Sequence, residues 1–76
     1  MKKENRIKIE KIIGSKYNKN GNRTWNITVS IEGIRGLINY KNVDFNYITP
    51  KEDDTFLGVT KVTPTGRNKL YIVKKI

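Results

Sequence analysis

Asn20-Gly21-Asn22-Arg23-Thr24-Trp25-Asn26-Ile27-Thr28-Val29-Ser30-Ile31-Glu32-Gly33 reads as one β-strand held between two turn signals. Trp25, Ile27, Val29 and Ile31 alternate with Thr24, Asn26, Thr28 and Ser30. That period of two sets one face of a strand against a core and the other in water. Asn20-Gly21 fits a two-residue type I′ turn, whose two central positions both need φ > 0. Pairing outward from it places Gly14 opposite Ile27 and Ile12 opposite Val29. Continued unbroken, the pairing would set Glu10 against Ile31 and mix the faces. One extra residue near Glu10-Lys11 brings Ile9 opposite Ile31 instead, so a β-bulge is predicted there, bending the first strand.

Downstream, Glu32-Gly33 turns the chain again, and pairing across it matches Val29 with Gly36, Ile27 with Ile38 and Trp25 with Tyr40. The outer face then carries Arg35, Leu37, Asn39 and Lys41 beside the small polar groups of the second strand. Thr49-Pro50-Lys51-Glu52 has the pattern of an N-cap, a first-turn proline and a capping-box glutamate, with room for at most one short helical turn near 50–54. Phe45 and Tyr47, in the irregular stretch before it, are expected to fold under Trp25 as a plug. Pro64-Thr65-Gly66-Arg67 divides two last strands whose inward faces the alternation leaves open. Leu57 and Val59 compete with Phe56 and Val62, and Leu70 and Ile72 with Tyr71 and Val73. Five strands are predicted, at 5–14, 23–32, 34–42, 56–63 and 68–75, giving an all-β, five-stranded antiparallel barrel. Its core is expected to hold Ile7, Ile9, Ile12, Ile27, Val29, Ile31, Ile38 and Leu57.

The 76 residues are read as one domain, residues 1–76. A chain this short buries only about 60% of its unfolded surface, and it has no cysteine with which to staple the fold. Without cysteine or histidine, disulfides, thiolate chemistry and the usual zinc ligand sets are ruled out. The missing cysteines point to a cytoplasmic setting. No run approaches the roughly 20 apolar residues of a membrane helix. The basic start, Met1 to Arg6, lacks the apolar stretch of a signal peptide, so a soluble, unprocessed protein without membrane contact is expected. Abundant Lys, Asn and Ile with no alanine suggest an AT-rich genome, such as that of a phage or plasmid.

Charge is the strongest functional signal. Sixteen Lys and Arg stand against seven acids, a net charge of +9. Residues 1–41 carry ten basic groups and three acids, and residues 57–76 carry five basic groups and no acid. The negative charge collects at Asp44 and Glu52-Asp53-Asp54 between them. A solubilising charge would be mixed along the chain; this one is segregated, and a field of that kind attracts polyanions. Catalysis is not expected, since no nucleophile elbow, P-loop or dinucleotide fingerprint occurs. Three consecutive carboxylates point in different directions, so they read as a solvated acidic turn, and neither metal nor cofactor is expected. The loop from Gly14 to Arg23 is the sharpest candidate site. Lys16, Lys19 and Arg23 suit phosphates, Tyr17 suits a base, and the Asn side chains suit either backbone or base edges.

The segments Arg6-Ile-Lys-Ile-Glu-Lys-Ile-Ile13 and Gly21-Asn-Arg-Thr-Trp-Asn-Ile-Thr-Val-Ser-Ile-Glu-Gly33, joined by that basic loop, resemble the first two strands of oligonucleotide/oligosaccharide-binding barrels. In that family nucleic acid crosses the outer face of strands two and three and is gripped by the loops between strands one and two and strands four and five. The resemblance implies contacts from Lys16, Tyr17, Lys19, Arg23, Arg35, Lys41, Arg67 and Lys69, and Tyr71 is a further candidate for stacking. The expected function is single-stranded DNA or RNA binding with low sequence preference. Two other readings stay open: a duplex-DNA-binding SH3-like or integrase-arm-type domain, and a phage or plasmid inhibitor with a protein partner. Nothing in the sequence fixes an oligomeric state.

Overall fold

The computed structural model describes residues 4–76, so the basic Met1–Lys3 start lies outside the described residues. Five strands form: β1 (Asn5–Tyr17), β2 (Arg23–Ile31), β3 (Leu37–Asp44), β4 (Thr55–Val62) and β5 (Asn68–Lys75). They make one antiparallel sheet in the order β3-β2-β1-β4-β5. The sheet curls until β3 and β5 approach one another, yet no ladder joins them. Asn46 Nδ2 donates to the Ile72 carbonyl across this seam at 2.9 Å. The all-β class is as expected, but the barrel is not closed by hydrogen-bonded strands. Among the described residues no helix is long and apolar enough to cross a membrane.

The predicted bulge is present: Ile9 pairs with Val29 and Lys11 with Thr28, leaving Glu10 extra. Its carboxylate accepts a 2.7 Å hydrogen bond from Ser30 Oγ. A second bulge follows between Ile12 and Gly14, and the register of the first hairpin therefore differs from the expected one. Ile12 lies opposite Ile27, Gly14 opposite Asn26 and Ile7 opposite Ile31. The reason lies in the turn. Asn18 Oδ1 accepts the amides of Asn20 and Asn22 at 2.9 and 3.0 Å, and Gly21 N donates to the Asn18 carbonyl. Only Gly21 takes positive φ in this loop, so it is not a type I′ turn. It is a five-residue loop with glycine in the left-handed position. Thr63-Pro64-Thr65-Gly66-Arg67 has the same construction, with Thr63 Oγ1 accepting the Arg67 amide.

Glu32-Gly33 does turn the chain, with Ile34 N donating to the Ile31 carbonyl and Gly33 at φ 86°. Positive φ at the second central residue alone makes this type II, whose twist splays strands instead of closing a tight hairpin. Pairing resumes only at Leu37, so Val29 faces Ile38 and Ile27 faces Tyr40. The shift from the expected register is two residues, which leaves every side chain on its predicted face. Trp25 then pairs with Val43 past a bulge marked by Asn42 at φ 58°.

The core holds Ile7, Ile9, Ile27, Val29 and Ile31 as expected, joined by Val43, Phe45, Phe56, Leu70 and Ile72. Ile12 and Ile38 are partly buried against it. Leu57 is not part of this cluster: β4 turns Phe56 and Gly58 inward and leaves Leu57 half-buried. Phe45 does plug the core, its ring edge-on to Phe56 with centroids 5.0 Å apart. Tyr47 does not, being 96% exposed. Residues 51–54 form a turn instead of a helix, with Asp53 at φ 71° and its amide donating to the Ile9 carbonyl. That contact draws the segment onto the bulged part of β1 as a strand-like edge, which a helical turn would not allow.

Candidate nucleic-acid interface

Charge is sorted in space as well as along the chain. The ion pairs among the described residues are Arg6–Glu32, Lys8–Asp53 and Lys75–Asp54, at 3.9, 3.7 and 3.6 Å. All three sit around the β1–β4 side and the 51–54 turn. Asp44 is occupied by the Asn46 amide and Glu52 reaches the Ile12 amide. Lys16, Lys19, Arg23, Arg35, Lys41, Arg67 and Lys69 make no ion pair among the described residues.

Tyr17 ends β1 directly opposite Arg23, which begins β2. The Arg23 guanidinium lies 4.5 Å from the Trp25 ring centroid and 6.0 Å from that of Tyr17. Ser15 Oγ fixes it from below, accepting from Nε at 3.1 Å and from Nη2 at 2.9 Å. Trp25 is buried, as its parity with Ile27 requires, whereas Tyr17 is 70% exposed. A cation placed beside an exposed ring can give its remaining donors to a phosphate while the ring takes a base. This cluster arises because the 18–22 loop closes tightly and brings the last residue of β1 to the first of β2. Its Asn18 is consumed by the loop's own amides and is not a free reader of bases.

Lys16 and Lys41 line one cleft of about 260 Å³, whose wall includes Trp25 and Asn26. Lys41 also borders a second cleft of about 250 Å³ along the β3–β5 seam, with Lys69 and Tyr71. The two clefts share Lys41 and Asn42, so three cations expected at the interface border adjoining clefts, the second also lined by Asp44. Tyr71 is half exposed, with Lys61 Nζ 5.2 Å from its ring centroid, a cation that sequence reasoning missed. Lys19 stands at the tip of the first of the two matching loops, and Arg67 closes the second. Arg35 is not brought to this group: it lies in the 32–36 loop, at the end of β2 opposite Arg23, about 26 Å away along the strand. On the outer face between them, Asn39 Nδ2 donates to Asn26 Oδ1 at 2.8 Å and to the Ile27 carbonyl at 2.9 Å. Leu37 is exposed there, as predicted.

Fold and surface together define a small all-β protein with a basic, partly aromatic cleft at one end of its sheet. No family model, no curated protein and no solved structure matches this chain.

Proposed function

We propose that this protein binds single-stranded DNA or RNA with little sequence preference, and that it does so without catalysis. The observation that carries this reading is the separation of paired from unpaired cations. Arg6, Lys8 and Lys75 lie in ion pairs, while Lys16, Arg23, Lys41 and Lys69 border open clefts and make no ion pair among the described residues, Asp44 being the one carboxylate that lines these clefts. Unpaired cations gain most from a polyanion, since each phosphate they meet releases a condensed counterion. The exposed Tyr17 ring beside Arg23 favours single strands over duplex, because only unpaired bases present their faces to a ring.

The suggested likeness to oligonucleotide/oligosaccharide-binding barrels belongs to the same proposal. It is supported by the central place of β1, which pairs with both β2 and β4, and by the approach of β3 to β5. A gel-shift comparison of single-stranded DNA, duplex DNA and RNA at two salt concentrations tests the reading. Retention of a single strand that weakens steeply with salt is expected. Stronger retention of duplex would favour the duplex-reading alternative, and no retention of any of the three would favour a protein partner.

A further inference from the structure

Tyr47 has no role in the fold that explains its conformation. It is 96% exposed, and its backbone sits at φ 70°. Asn46 before it has φ 53°, and Ile48 N donates to the Phe45 carbonyl at 3.0 Å, so Asn46-Tyr47 forms a type I′ turn. Asparagine suits that left-handed position; a bulky aromatic residue rarely occupies it. Glycine or asparagine would fill position 47 with less strain, and the ring's own packing returns nothing.

The turn beneath the ring is firmly held. Asn46 donates its amide to Asp44 Oδ1 at 2.8 Å and its side-chain amide to the Ile72 carbonyl at 2.9 Å. Phe45 and Ile48, on either side, pack into the core. The ring therefore stands on a fixed base, and it borders a cleft of about 180 Å³ whose walls include Asn22, Arg23 and Trp25. Arg23 Nη1 makes no hydrogen bond among the described residues, so this cleft joins an exposed aromatic face to a free cationic donor. Asp44 in the same wall discourages a phosphate at its own end and leaves the Arg23 end for it.

We infer that Tyr47 is a stacking platform for a nucleobase of a single strand whose adjoining phosphate is met by Arg23, so that Tyr47 and Tyr17 hold bases on either side of one cation. This rests on the nucleic-acid reading above. Strained residues persist where function needs their geometry, and here the strain displays a ring with nothing from the protein to cover it.

Fluorescence anisotropy with a labelled oligothymidine, and with an abasic strand of the same length, tests this on Tyr47→Phe, Tyr47→Asn and Tyr47→Gly. The Phe variant should bind oligothymidine within about twofold of the parent. The Asn and Gly variants should melt at or above the parent's temperature and yet bind oligothymidine roughly 5- to 150-fold more weakly. All four proteins should bind the abasic strand alike. Undiminished binding of oligothymidine by Tyr47→Gly would overturn the inference and leave the nucleic-acid reading standing. An equal loss on both strands would also overturn it, since the ring would then not be meeting a base. If the parent binds neither strand, both proposals fall.

Discussion

The Arg23 guanidinium covers one face of the Trp25 ring at 4.5 Å, and Ser15 holds it there with two hydrogen bonds. Trp25 is the single tryptophan of the chain, so tryptophan emission reports on the surroundings of this one ring, Arg23 among them. Arg23→Ala removes the cation and the stem that shields the ring. We expect a red shift of the emission maximum and a loss of about 1 kcal/mol in urea unfolding. An unchanged spectrum and unchanged stability would mean that the pair does not form in solution.

Gly58 marks the closest approach of three strands. A Cβ there would lie 2.6 Å from Ile7 Cδ1, 2.9 Å from the Tyr71 carbonyl oxygen and 3.3 Å from Leu70 Cδ1. Ile7 is wholly buried and the carbonyl is backbone, so neither yields cheaply. Gly58→Ala should cost roughly 1–3 kcal/mol by overpacking. Gly14→Ala, where nothing lies within 4 Å of the added carbon, serves as the control. Equal unfolding midpoints for the two variants would contradict this packing.

The inward faces of the β2–β3 pair and of β4 are tested by paired truncations. Ile27→Ala should lose about 2–4 kcal/mol, while Leu37→Ala, at a residue 63% exposed, should change stability by about 0.5 kcal/mol or less. On β4, Phe56→Ala should cost about 3–5 kcal/mol, enough to unfold a domain this small, and more than Leu57→Ala. Chemical denaturation ranks the four. A larger loss at Leu57 than at Phe56 would invert the face assigned to β4.

Burial raises the Tyr40 phenol above its ordinary value of 10.0, because the phenolate would lose solvation. The unfolded chain releases that proton sooner, so above pH 10 the folded state binds more protons than the unfolded one. The stability linked to Tyr40 is therefore complete below pH 10 and is lost as the pH rises through the folded value. Tyr40→Phe should flatten this alkaline decline and remove the most delayed part of the tyrosinate absorbance change. A decline of the same steepness in the variant would assign it to other groups.

Strand existence and face were legible wherever alternation was strict, as from Trp25 to Ile31. Register was less so, because it depends on how turns are built. Asn20-Gly21 invited a two-residue count, but the Asn18 side chain takes two amides and sets a five-residue loop, which the second bulge near Ile13 then absorbs. The bulge at Glu10 was readable, since Ile7 and Ile9 would otherwise leave the core. On β4 the inward series runs Phe56, Gly58, and a glycine contributes no hydrophobic signal, so Leu57 and Val59 looked the stronger pair. The basic residues of the site were legible from charge alone. Their grouping was not: Lys41 shares one cleft with Lys16 across neighbouring strands, and it shares another with Lys69 only because the sheet curls. The sequence sets Tyr47 beside Phe45 as a plug under Trp25, because no local rule places a bulky aromatic residue at positive φ on a turn.

If unpaired cations meet phosphates, the salt dependence of binding to a single strand shows it most plainly. With four to six contacts, log K should fall against log salt with a slope of about −3 to −4. Replacing Lys16 and Arg23 together by Ala should reduce the magnitude of that slope by about 1.4, the value for two phosphates. Replacing Lys8 and Lys75, which are paired with Asp53 and Asp54, removes the same net charge and should leave the slope nearly unchanged. Equal reductions in the two double variants would contradict the account, because net charge alone would then govern binding.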